Sequence, residues 1–257
     1  MIFKFKQKPI VLNAYTFRKE LVELFPFQRI QKFVPEWWKN IDGKAYHPEF
    51  GMTETNTMKH CAGFLDFYKN GYTIPLWTDA RFKLGIHGRS FNLMFSDEAT
   101  HAVAHGVEQR GSYLPADKYQ HLKITTPWML DCEEDVNFAF VGNTWSINNP
   151  DEIIIPSGVM NFKYQKALNI NMFFPYGPKE KVIELTSGTA LFNLLPMTER
   201  EVVVNVKGIS KEEFSNRMGI YQHHFAFDAN YFKLRNFLKK KEQESESKSK
   251  CPFGFGK

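Results

Sequence analysis

The stretch DEATHAVAHGVEQ carries the densest set of groups able to do chemistry. Glu98, His101, His105 and Glu108 follow the spacing E-x-x-H-x-x-x-H-x-x-E. On a helix this spacing brings two imidazoles and two carboxylates onto one face, since residues three and four apart are neighbours there. Neutral imidazole and carboxylate suit iron, manganese or zinc, so the helical reading is a metal site. On a strand, His101, Val103 and His105 alternate onto one side and the carboxylates have no assured geometry. A histidine pair then needs a third ligand from elsewhere.

Other reactive groups are more dispersed. His60 and Cys61 are adjacent, but neighbours on a regular element point apart, so Cys61 reads as a small buried residue at a helix start rather than a nucleophile. Cys132 sits in LDCEED, where carboxylates disfavour a thiolate. His224 and Asp228 have the spacing of a helical hydrogen-bonded pair, next to His223. No phosphate-binding glycine loop and no G-x-S-x-G elbow is present, and LGIHGRSF fits a hairpin turn.

Five tryptophans, Trp37, Trp38, Trp77, Trp128 and Trp145, fall near segment ends, where rings line cleft mouths or pack into the core. The chain closes with CPFGFGK after the wholly polar KKKEQESESKSK. Cys251, Pro252, Phe253 and Phe255 read as a docking peptide on a flexible spacer, able to meet a protein partner or a second copy.

The elements that must position these groups are mostly strands. ARFKLGIH, SFNLMFS, HLKITTPWML, VNFAFVG, EIIIP, VMNFKY, LNINMFFP, KVIEL, TALFNLLPM and EVVVNVK are short apolar segments divided by Gly, Pro, Asn or Asp. Their spacing predicts a mainly β (α+β) chain: an antiparallel β-sandwich, or a jelly-roll or cupin-like barrel. Residues 2–6 alternate like a strand, RKELVELF is a helical turn ended by Pro26, and VPEWWKN is an aromatic cap more than a regular element. A short helix with Phe64, Leu65 and Tyr68 inward ends at Asn70-Gly71, and the proline of YTIPLW argues for an edge strand. Ser210 and Glu213 form a capping-box pattern, and a second helix covers residues 221–241. The expected organisation is residues 1–79 packing on the core, 80–208 as the sandwich, 209–241 as C-terminal helices and 242–257 as a flexible polar tail.

Composition sets the outer bounds. The 257 residues are 43% hydrophobic and include 25 Phe, enough for one sizeable β core. Of the net charge of +5, residues 239–257 hold +3, with six lysines against three glutamates, leaving +2 for the rest. A nucleic-acid surface, which needs clustered cations, is not expected. Three cysteines without a C-x-x-C pair argue against a disulfide scaffold and for a reducing compartment, so a cytoplasmic protein is expected, whether cellular or made inside an infected host cell. No apolar run reaches the roughly 18 residues of a membrane helix.

Several stretches resemble an uncharacterised protein family common in marine phages and some marine bacteria. They are PEWWK at residues 35–39, CAGFLDFYKNGYTIPLWTD, TPWML, IPSGVMNFKY and GTALFNLLPMTER. The resemblance implies a phage-associated accessory protein with a β fold and brings no settled catalytic residues. The expected function is binding of a protein or small molecule through the sandwich. The alternatives are a cupin-like non-haem metal enzyme of oxygenase type using His101 and His105, and a carbohydrate- or virion-surface binder using exposed Trp37, Trp38, Trp77 and Trp128.

Overall fold

Alternation of side chains decides the strands. In ARFKL, Ala80, Phe82 and Leu84 are buried while Arg81 and Lys83 face solvent, the period of a half-buried strand. The computed structural model describes residues 7–47, 49, 53–88, 90–97, 100–109, 111–143, 153–227 and 231–249. In chain order it begins with β1 (Ile10–Thr16), α1 (Leu21–Leu24), β2 (Gln28–Arg29), α2 (Glu36–Asn40), β3 (Lys44–His47) and β4 (Thr53–Asn56). There follow α3 (Ala62–Asn70), β5 (Tyr72–Pro75), β6 (Ala80–Leu84), β7 (Phe91–Phe95), β8 (Ala102–His105), β9 (Tyr119–Cys132) and β10 (Asn137–Gly142). The chain continues through β11 (Gly158–Asn161), β12 (Ala167–Pro175), β13 (Lys181–Leu185), β14 (Ala190–Pro196) and β15 (Val202–Gly208). Two long helices close it, α4 (Lys211–Phe227) and α5 (Tyr231–Ser249).

One sheet runs β12-β9-β1-β15, with β8 also paired to β9. The length of β9 makes this possible: residues 121–124 pair with β8, and residues 129–132 pair with β1 on the same edge. A second sheet runs β11-β10-β14-β5-β2, and a third runs β13-β6-β7. The last two are joined by a bent ribbon in which β5 leads to β6 while β13 leads to β14. At the bend Gly188 takes a positive φ of 85°, which glycine adopts at little cost. Gly188 N donates to Leu76 O, and Ser187 N donates to Asp79 Oδ1, each at 2.7 Å. Trp77 is held in this bend.

The inner faces of all three sheets share one apolar cluster, which includes Leu12, Ile124 and Phe174 together with Phe82, Phe138 and Phe192. The Phe82 and Phe174 rings, from different sheets, lie 4.5 Å apart. Each such buried ring contributes on the order of 1.5–3 kcal/mol. The protein is thus mainly β, a sandwich of largely antiparallel sheets with short N-terminal helices and C-terminal helices. Its β1–β15 ladder is parallel. No helix among the described residues is long and apolar enough to cross a membrane.

Local expectations fare unevenly. Ser210 Oγ does accept from Glu213 N at 3.0 Å, at the start of α4. The EWWKN segment is a helix, not an irregular cap: Pro35 O accepts from both Trp38 N and Lys39 N. In α3 it is Phe64, Phe67 and Tyr68 that face the protein, with Leu65 exposed. β5 is buried between β14 and the two-residue β2, with Pro75 at its end rather than on an open edge. Residues 1–79 contribute β1 and β5 to the sheets themselves, and residues 2–6 lie outside the described residues.

The polar segment beginning at Lys239 is helical as far as Ser249, where a flexible tail was expected from residue 242. Lys, Glu and Gln are good helix formers, and α5 is tied to the body by charge. Asp135 accepts from Lys239 Nζ at 2.5 Å and from Asn161 Nδ2 at 2.7 Å, with Arg235 also beside it. Burial pushes the Asp135 carboxyl up, but Lys239, Asn161 and Arg235 together hold it below the usual carboxylate range. Arg235 and Lys239 also lie over the buried Tyr164 ring, 5.6 and 5.7 Å from its centre. Burial, then the charges of Asp135 and Glu242, push the Tyr164 hydroxyl up to about 12.

Candidate functional site

α4 lies over the outer face of the first sheet, where Met218 packs on Tyr15 and Met129. Beyond that contact a cavity of about 330 Å³ opens, lined by Trp77, Trp128, His101, Arg18, Lys211 and Phe214 among others. This is the lower end of the usual size for ligand pockets. Different elements supply its walls: the ribbon bend places Trp77, β9 places Trp128, and the first turns of α4 place Lys211 and Phe214.

A hydrogen-bond relay fixes one wall. Trp77 Nε1 donates to Thr100 Oγ1 at 2.9 Å, and Thr100 Oγ1 donates to Asp97 Oδ2 at 2.8 Å. Asp97 in turn takes an ion pair from Arg18, whose Nε bonds Glu20 Oε1 at 2.9 Å. The charge of Arg18 is therefore largely answered inside the protein. Lys211 and His101 are exposed at the same cavity.

The opposite condition holds at Trp128. Its side chain is 1% exposed, its ring meets Phe27 edge-on at 5.5 Å, and its Nε1 has no hydrogen-bond partner. An indole N–H can only donate, and a buried donor left unpaired is destabilising by about 1–3 kcal/mol.

The tryptophans are thus not a row of exposed stacking platforms. Trp77 and Trp128 converge on the cavity from buried positions, with Trp77 only 3% exposed. Trp38 packs with Tyr68, Trp37 is 47% exposed on α2, and Trp145 lies outside the described residues.

The histidines of DEATHAVAHGVEQ do not share a helix. Residues 102–105 form β8, so His101 and His105 stand four strand positions, about 13 Å, apart. Glu98 lies outside the described residues, and Glu108 follows β8 in a short exposed turn. No group of three or more His, Cys, Asp or Glu able to hold a metal ion occurs among the described residues. The true neighbour of His105 is His121, paired with it across β8 and β9, with ring centres 4.8 Å apart. His121 stacks on Phe173 of β12 at 4.4 Å and meets Asn171 Oδ1 at 3.1 Å. His105 Nε2 is buried without a hydrogen-bond partner, and burial, then Lys123 and His121, hold its imidazole below the usual value.

Cys61 is exposed rather than buried, because it precedes α3 at the surface. Cys132 is buried, and burial above all, with the carboxylates around it, pushes its thiol up. Asp228 and the tail residues Cys251, Pro252, Phe253 and Phe255 lie outside the described residues. Thr100, Arg18 and Lys211 carry no motif, and only their meeting around two tryptophans identifies them. No protein-family model matches the chain, and no curated protein matches it.

Proposed function

We propose that the protein is a binding module whose β-sandwich holds a small organic acid, an apolar body bearing one carboxylate, in the cavity beneath α4. The buried and unpaired N–H of Trp128 carries this reading, since it calls for an acceptor. Lys211 at the rim favours a negatively charged one. Phe214, Met218 and the two indoles suit an aromatic or aliphatic body. The relay holding Trp77 keeps the wall in place before the ligand arrives, which lowers the cost of ordering on binding. A phage accessory role and partner docking through Cys251, Pro252, Phe253 and Phe255 belong to the same reading and rest on the sequence.

Titration with phenylacetate, followed by calorimetry and tryptophan fluorescence, tests the reading. Phenylacetate binds, and its neutral counterpart phenylacetamide binds about tenfold more weakly, the difference between a charge-assisted and a neutral hydrogen bond. Lys211→Met removes most of that preference. Absence of binding by both compounds, or equal binding of acid and amide, sinks the reading.

A further inference from the structure

A second cavity lies under α3, on the outer face of the β11-β10-β14-β5-β2 sheet. β14 is buried on both sides: Phe192 and Leu194 belong to the main core, while Leu195 packs with Ile30, Trp38 and Tyr68. Asn193, two residues before Leu195, shares its side of the strand. There the apolar packing stops and a cavity of about 300 Å³ opens between α3 and the end of β10, lined by Phe64, Phe67, Asn143 and Asn193 among others. No charged side chain among the described residues lines it.

Asn193 is 1% exposed. Thr73 Oγ1, on the paired strand, donates to its Oδ1 at 2.6 Å, so the acceptor of the amide is used. Its Nδ2 is buried without a hydrogen-bond partner. Buried amide donors are almost always paired, so an unpaired one on a residue that lines an open cavity points to what the cavity takes. We propose that this cavity is a second binding site, for a small, uncharged, mostly apolar carbonyl compound whose oxygen accepts from Asn193 Nδ2. Its body packs on Phe64 and Phe67. With no cation among the described lining residues, a carboxylate would lose its hydration without a counter-charge, and a pure hydrocarbon would leave the amide unpaired.

Cys61 is exposed and lines the same cavity, which makes it a reporter of occupancy. The probe is acetophenone and the reagent is iodoacetamide, on the full chain, with peptide mass spectrometry separating Cys61 from Cys132 and Cys251. Alkylation of Cys61 slows in a saturable way as acetophenone is added. Ethylbenzene, with the same ring and no acceptor, needs about fivefold higher concentration, the value of one neutral hydrogen bond. Asn193→Leu erases that difference. Gly63→Leu provides a variant that keeps the fold, because a Cβ there meets nothing within 4 Å and leucine is the better helix former. It fills the mouth of the cavity, and acetophenone then ceases to protect Cys61. No protection by acetophenone, or equal protection by both compounds, overturns the proposal and leaves the organic-acid site untouched.

Discussion

Thr100→Val separates the hydroxyl of the relay from its bulk. The substitution keeps nearly the same volume and removes the one group that accepts from Trp77 Nε1 at 2.9 Å and donates to Asp97 Oδ2 at 2.8 Å. Asp97 keeps its ion pair with Arg18, so its charge stays answered. Trp77 is 3% exposed and has no such substitute, so its indole N–H is left buried and unpaired. That condition costs about 1–3 kcal/mol. Taking about 1.5 kcal/mol and a urea slope of about 3 kcal/mol per M for a chain of this size, the midpoint falls by about 0.5 M.

Urea unfolding followed by far-UV circular dichroism measures this directly, and Thr100→Ser is the control because it keeps the hydroxyl. Serine should stay near the wild type while valine falls. Phenylacetate affinity should fall in valine as well, since the Trp77 wall is no longer fixed. If valine and serine unfold at the same urea concentration, the relay does not hold Trp77, and the wall of the cavity must be set by packing alone.

Two further predictions concern pH and the attachment of α5. His105 has its folded pKa depressed, so its contribution is fully present above the unfolded value of about 6.5 and is lost as pH falls below it. Stability should therefore decline from about pH 6.5 downward, and His105→Asn should flatten that decline in urea midpoints measured across the range. Asp135 is also depressed, so its ion pairs with Arg235 and Lys239 hold α5 above the unfolded carboxylate value of about 4 and weaken as pH falls through the folded one. Its side chain is 38% exposed, so Asp135→Asn should cost only about 0.5–1 kcal/mol, read as lost helical dichroism and faster amide exchange in α5.

The strands were legible because their alternation is local. Every strand after residue 80 except β8 overlaps a segment that the pattern picks out, although EIIIP forms only an isolated bridge at Ile154, and the Ser210 cap could be read from the pattern Ser210 and Glu213 make. β1 was not singled out, although IVLNAYT lies at the centre of the first sheet, because its parallel partner β15 begins almost 200 residues later. The continuation of α5 from residue 242 to Ser249, past the helix expected over 221–241, was missed for the complementary reason. Its polar sequence lacks an apolar stripe, and what holds it is Asp135 and Tyr164, which are distant in sequence. The same limit governs the site. Periodicity alone left His101 and His105 as a pair, whereas strand pairing gives His105 a neighbour in His121, sixteen positions away.

Both cavities arise under one condition, and their differences follow from charge. The inner faces of the sheets are filled by large apolar side chains. Each cavity lies where α3 or α4 covers part of a sheet that also carries polar side chains, and the first reaches in to Trp77 and Trp128 of the main core. In each place a side chain that is 1% exposed, Trp128 or Asn193, keeps a donor without a partner. An acceptor is needed at both. Lys211 stands at the first cavity and no charged side chain among the described residues lines the second, so the same missing bond selects an anion in one and a neutral carbonyl in the other.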